Sequence, residues 1–314
     1  MKKVFIDGSA GTTGLRIHER LTGREDIEMI ILDEEHRKDA SARREALFEA
    51  DIAFLCLPDA AAIEAVELAE GSDVVIIDPS TAHRTADNWT YGFPELNKTQ
   101  RAKIASSHRI TNPGCYATGF ISIVAPLVQN GTIDAGFPVS AFALSGYSGA
   151  GKKAIAVYEG ADKPADFNAP REYALSQMHK HIPEMQKISG LNRKPLFSPI
   201  VDDYYAGMFV SVPFYTDMLK GVKGPDDLRD ILAEHYKGER FIKVMPKGAE
   251  DETEGFISAN VLAGRDDLEI FVTGNEERIV VTSRFDNLGK GASGAAIQNM
   301  NIVLGVDEAS GLML

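Results

Sequence analysis

Cysteine is nearly absent from this chain: Cys56 and Cys115 are the only two in 314 residues. Two thiols make no disulfide framework, and no Cys/His spacing matches a zinc site, so no metal is expected. Long apolar runs are missing too, and none is long enough to cross a membrane. The start offers only Val4-Phe5-Ile6 between two lysines and Asp7, too little for a signal peptide. The expectation is a cytoplasmic protein with no membrane partner. Basic runs are missing as well. The net charge is −13, which argues against a nucleic-acid partner. An acidic chain that handles anionic ligands must gather its basic residues locally. What remains is ordinary globular composition, 44% hydrophobic and 25% charged, long enough for two cores.

The first third alternates between two patterns. Lys3 to Asp7 is β-rich, Gly8-Ser9-Ala10-Gly11-Thr12-Thr13-Gly14 follows, and Leu15 to Leu21 reads as helix. Strand, glycine loop and helix are the context of a dinucleotide site. Glycine admits a pyrophosphate to the backbone, and the helix N-terminus binds its charge. Gly8, Ser9, Gly11, Thr12, Thr13 and Gly14 are therefore the expected cofactor contacts; a plain tight turn would use the same glycines. Strands are expected at 27–32, 51–57 and 74–78, with helices at 38–50 and 60–70. Apolar strands between helices predict an α/β fold with a Rossmann-type doubly wound parallel sheet. Cys56 falls inside the third strand and reads as core. Pro58 and Ser80 follow the third and fourth strands, in loops that line the crevice of such folds. Arg84, just beyond, is a candidate anion ligand. After the second strand, Asp33 would suit the ribose hydroxyl of NAD, while Arg37 and Lys38 would suit the 2′-phosphate of NADP. The residues alone allow either.

Thr111-Asn112-Pro113-Gly114 is a turn leading into Cys115, and the run from Tyr116 to Val124 reads as an apolar helix. A thiol at a helix N-terminus meets the positive end of the dipole, which favours thiolate. The same N–H groups can hold an oxyanion. The competing reading is a small buried hydrophobe. Beyond Cys115 the pattern becomes α+β. A strand is expected at 139–146, and strands at 208–214, 268–272 and 278–283 form an expected antiparallel sheet with a helix at 226–236 packed on it. Tyr147 to Lys153 is a small-residue loop suited to a nicotinamide or a phosphate. His179-Lys180-His181-Ile182-Pro183-Glu184 holds two of the seven histidines, and Pro183 marks it as a loop that lines a site. Small residues between Asp286 and Leu304 suit a terminal helix that returns to the first domain.

Taken together and in order, five motifs resemble the short form of N-acetyl-gamma-glutamyl-phosphate reductase. They are the loop from Gly8 to Gly14, Asn112-Pro113-Gly114-Cys115-Tyr116, Ser145 to Gly151, His179 to Glu184, and Asn287 to Ala292. The resemblance implies an NADP(H)-binding Rossmann domain of residues 1–114 plus 287–314, and an α+β catalytic and oligomerisation domain of residues 115–286. It implies an NADPH-dependent reduction of an acyl phosphate to an aldehyde, with release of inorganic phosphate, in arginine biosynthesis, by a homodimer or homotetramer. It makes Cys115 the nucleophile and His181 the acid/base residue. It puts Asn112, Ser148, Gly149, Tyr173, His179, Glu184 and Arg84 around the substrate, with Gly149 and Asn287 also on the cofactor. Asp33-Glu34-Glu35 is an unusually acidic seat for a 2′-phosphate. Aspartate-semialdehyde dehydrogenase and a carrier-bound aminoadipyl-phosphate reductase use the same chemistry on other acyl phosphates. A non-catalytic redox sensor switching through Cys115 is the alternative of a different class.

Overall fold

The computed structural model describes residues 1–9 and 11–314; Ala10, inside the glycine loop, lies outside the described residues. The chain divides into two compact units. One comprises Met1–Pro94, Lys98–Gly114 and Ala292–Leu312, the other Glu95–Asn97, Cys115–Gly291 and Met313–Leu314.

The first unit runs β1 (Lys2–Asp7), α1 (Thr12–Leu21), β2 (Ile27–Ile30), α2 (Ala40–Glu49), β3 (Ile52–Leu55), α3 (Asp59–Leu68), β4 (Val75–Asp78), β5 (Thr90–Tyr91), α4 (Gln100–Ala105) and β6 (Arg109–Thr111). Among the described residues its sheet has the order β2-β1-β3-β4-β6-β5, and every pair is parallel. Alternate residues of each strand feed two cores, as a pleat requires. Val4, Ile6, Ile52 and Phe54 pack with Ile17, Leu21 and Met300, while Phe5, Ala53 and Leu55 pack with Leu47, Ala62 and Ala65. Helix α2 starts at Ala40 rather than Lys38 because the Asp39 carboxylate accepts from Ala42 N at 2.8 Å and caps it.

The second unit opens with α5 (Cys115–Gln129), followed by β7 (Ser140–Gly146), α6 (Lys152–Tyr158), β8 (Arg171–Glu172), α7 (Ile182–Ser189), β9 (Leu196–Asp202), β10 (Met208–Tyr215), α8 (Pro225–His235), β11 (Ile242–Val244), β12 (Leu268–Gly274) and β13 (Arg278–Phe285). Tyr116 through Leu127 are all buried, so α5 is apolar on every side and lies within the core. At Gly119 a Cβ would come within 2.5 Å of Val210 Cγ2, so a larger residue would lift the helix off β10. The sheet has the order β11-β12-β13-β10-β7-β9-β8. β10–β13 and β12–β13 are antiparallel, as expected for those three strands, while β7–β9 and β11–β12 are parallel, so the sheet as a whole is mixed. Both parallel pairs are joined by long excursions, as parallel neighbours need.

After β13 the backbone makes one wide turn, Gly289–Ser293, and enters α9 (Gly294–Leu304). Ala296, Ile297 and Met300 of α9 are buried in the core of the first unit. Residues 287–291, which the motif reading groups with the first domain, pack with the second unit. There Asn287 Oδ1 accepts from Gly207 N at 2.8 Å. No helix among the described residues is long and apolar enough to cross a membrane.

Candidate active site

In the first unit the glycine loop is built as a close approach of backbones. Gly8 has φ +88°, and a Cβ there would collide with the Cys56 carbonyl oxygen. At Gly14 a Cβ would lie 2.6 Å from Gly8 O. At Gly11 it would lie 3.5 Å from the same oxygen, an ordinary contact. Gly8 and Gly14 are thus demanded by geometry, while Gly11 has room. Helix α1 starts directly after, with Thr12 and Thr13 in its first turn and no side chain capping it. A helix start of this kind can offer its first N–H groups to an anion.

A cavity of about 890 Å³ opens beside this loop. Gly8, Ser9, Gly11, Arg37, Lys38 and Pro58 line it. Asp33 does not, because its carboxylate is turned onto His36, accepting from the backbone N at 2.9 Å and facing the ring Nδ1 at 2.7 Å. Those bonds hold the Asp33 carboxyl below its ordinary pKa. Glu34 is drawn aside as well, by Arg37 Nη2 at 2.7 Å. The Asp33 carboxylate thus stays charged, and Arg37, a candidate ligand for a phosphate, already has an acidic partner. Arg43 also lines the cavity, 2.9 Å from Asp7 and 2.7 Å from Glu64. Burial raises the Asp7 carboxyl pKa, and the Arg43 guanidinium pulls it back. This buried pair was not anticipated; an Asp closing a strand of a glycine-loop fold was its only signal.

Three expected contacts turn out to be engaged inside the first unit. Ser80 Oγ donates to Asp78 at 2.8 Å, and His83, stacked on Trp89, meets the same carboxylate at 2.6 Å. Arg84, expected to hold an anion, is buried; its Nε donates to Asn112 O at 3.1 Å and its Nη2 to Pro79 O at 2.7 Å. Asn112, expected on the substrate, is fully buried. Its Nδ2 donates to Ala292 O at 2.8 Å and its Oδ1 accepts from Asn299 at 3.3 Å. Arg84 and Asn112 therefore shape the turn that leads into Cys115, and their polar groups face carbonyls and amides.

In the second unit Cys115 is the first residue of α5 and is partly exposed. The following residue, Tyr116, anchors an aromatic cluster. Its ring centre lies 5.6 Å from His179, 5.9 Å from His181, 6.4 Å from Tyr173 and 5.3 Å from Phe197. The two imidazoles are 4.7 Å apart, edge to face. The His181 backbone N–H donates to His179 Nδ1 at 3.1 Å, so a neutral His179 carries its proton on Nε2. That Nε2 faces Tyr173 Oη at 3.4 Å. Burial pushes the phenol pKa of Tyr116 and of Tyr173 up, and the charge of Cys115 pushes both further. Both rings therefore keep their protons.

Pro183 does not break a helix here. It sits in the first turn of α7, where its missing N–H has no helical partner to lose, and Glu184 is buried beside it. Ser148, Gly149 and Asn287 come together: Asn287 Nδ2 donates to Ser148 Oγ at 2.9 Å, and a Cβ on Gly149 would lie 3.3 Å from that nitrogen. Cys56, by contrast, has its thiol pKa pushed far up by burial and by Asp78 and Asp7. Among the described residues no three His, Cys, Asp or Glu side chains are grouped to hold a metal ion.

Comparison with known proteins bears on both units. Residues 3–104 match the semialdehyde dehydrogenase NAD binding domain, and residues 115–287 match the semialdehyde dehydrogenase dimerisation domain. The chain is 45% identical over 321 residues to N-acetyl-gamma-glutamyl-phosphate reductase 2 of Nostoc sp., covering 99% of each protein. It is 46% identical over 308 residues to N-acetyl-gamma-glutamyl-phosphate reductase of Brucella ovis, covering 96% of this chain and 99% of that protein. Among solved structures, aspartate semialdehyde dehydrogenase from Francisella tularensis shares the fold, with a TM-score of 0.74 at 14% identity over 97% of this chain and all of that one.

Proposed function

Because this chain belongs to the N-acetyl-gamma-glutamyl-phosphate reductase family, we propose that it reduces N-acetyl-gamma-glutamyl phosphate to N-acetylglutamate 5-semialdehyde with NADPH, in a cytoplasmic step of arginine biosynthesis. The observation that carries the reading is Cys115 at the head of α5, followed directly by Tyr116, around whose ring Tyr173, His179 and His181 gather. An acyl phosphate is an activated carbonyl with a good leaving group. The Cys115 thiolate attacks the carbonyl carbon, the C–O bond to phosphate breaks, and a thioester remains. The N–H groups of the first turn of α5 suit the oxyanion formed on the way. A bound nicotinamide supplies the hydride that reduces the thioester. Collapse of the resulting thiohemiacetal returns the sulfur as thiolate and frees the aldehyde, and an imidazole moves the proton.

Accessibility divides that task between the two histidines. His181 is 5% exposed, whereas His179 is partly exposed and has its tautomer set by the backbone of His181. We therefore give the proton to His179 and an orienting role to His181, reversing the motif-based expectation. The cofactor reading is supported by the cradle that Gly8 and Gly14 form and by Arg37 and Lys38 on the cavity wall, where a 2′-phosphate needs cations. Assembly as a homodimer or homotetramer is supported by the outer face of the second sheet, where Phe142, Leu196 and Tyr215 stand 42%, 66% and 61% exposed.

The test is NADP reduction in the presence of inorganic phosphate, with N-acetylglutamate semialdehyde and aspartate semialdehyde run side by side. Preference for the acetylated substrate in kcat/KM is expected. Preference for aspartate semialdehyde would move the chain to the dehydrogenase reading.

A further inference from the structure

Lys290 and Glu95 form an ion pair in which neither side chain is exposed. Lys290 Nζ donates to both carboxylate oxygens, at 2.9 and 2.8 Å, and lies 5.1 Å from the centre of the Phe241 ring. Two charges removed from water cost more than their attraction commonly returns, and apolar residues of similar volume often replace such pairs without loss. The pair calls for a reason other than stability, and the backbone beside it offers one. Lys290 lies in the wide turn Gly289–Ser293, where Gly291 N–H donates to Asp286 O, five residues back, at 3.0 Å. Such π turns are rare and inherently less favourable than an α turn, and they recur at functional sites. The Asp286 carboxylate holds one side of the turn, accepting from Leu288 N at 2.9 Å and Gly264 N at 2.7 Å. Lys290 and Glu95 hold the other. The turn presses Gly291 so close to the nucleophile that a Cβ on it would lie 2.9 Å from Cys115 Cβ.

We propose that the Glu95–Lys290 pair is a positioning device, which locks the π turn so that the Gly291 backbone forms a fixed wall against Cys115. This deepens the acyl-phosphate reductase reading and rests on Cys115 being its nucleophile. The wall restricts where the Cys115 side chain can swing and keeps its sulfur aimed along the first turn of α5.

The decisive variant is the double substitution Glu95→Gln with Lys290→Met, which removes both charges and leaves neither alone in the core. Three quantities are measured: kcat and KM for the acyl phosphate, the rate of Cys115 alkylation by iodoacetamide followed by mass spectrometry, and thermal unfolding. The expected result is cooperative unfolding, KM within about twofold of wild type, and both kcat and the alkylation rate lowered by roughly 10- to 100-fold, the scale of an ångström-sized misplacement. Gly291→Ala, which crowds Cys115 without touching the pair, should lower the same two rates. A folded double variant with both rates at wild-type level overturns the proposal. If the double variant does not fold, wild-type rates in Gly291→Ala overturn it instead. Cys115→Ala separates the two layers. Turnover surviving in that variant removes the nucleophile reading, whereas the alkylation comparison still reports whether the pair orders the thiol.

Discussion

His179 and His181 differ by two positions and by what surrounds them. The backbone of His181 donates to His179 Nδ1, so the Nε2–H of a neutral His179 faces Tyr173 Oη. His179→Asn should lower kcat by roughly 10²–10⁴-fold, the range for a general acid/base, with NADPH binding intact. His181→Asn keeps the same backbone donor and should cost much less in kcat. A larger kcat loss in His181→Asn would return the proton to His181. This distinction was not legible in the sequence, where the two residues look equivalent. It arises because His181 is the N-cap of α7 and turns inward there. The partners of Asn112 were equally hidden. Its amide is engaged by Ala292 and Asn299, some 180 residues further along the chain, and no local pattern announces such a partner.

At the level of elements, the strand–loop–helix order of the first unit was readable because each strand is apolar on both faces and each is followed by turn residues. Strand β9 was not, because Pro195 precedes it and Pro199 lies within it, which demotes a run as a strand signal. The glycine loop allows a finer test than a motif can. Gly11 and Gly14 look equivalent in sequence, but only at Gly14 would a Cβ meet backbone at 2.6 Å, against 3.5 Å at Gly11. Gly14→Ala should push α1 away from the loop and weaken NADPH binding at least tenfold in a fluorescence titration. Gly11→Ala should stay within about threefold, since its Cβ meets an ordinary van der Waals contact. Equal losses would show that the glycine spacing answers to the ligand rather than to the packing of α1 on the loop.

For the molecule as a whole, the proposed covalent route makes a demand that no single element can meet: it needs a nucleophile and a hydride acceptor in sequence. On the proposed route, run in the oxidative direction, Cys115 would add to the aldehyde carbon, hydride would leave that carbon for NADP, and the acyl group would be held as a thioester. Inorganic phosphate must then attack the thioester carbonyl to expel the thiolate. Rapid mixing of enzyme, semialdehyde and NADP without phosphate should give a burst of about one NADPH per active site and then slow hydrolysis, because an intermediate accumulates when its second step is blocked. Adding phosphate, or arsenate in its place, should restore steady turnover. Cys115→Ala should lose both burst and turnover while still binding NADP, because the cradle of Gly8 and Gly14 is untouched. Cys115→Ser should bind normally and react very slowly, since a hydroxyl at a helix N-terminus remains far from ionised at neutral pH. Wild-type turnover in the Ala variant, or acyl release that never depends on phosphate, would remove the thioester from the mechanism.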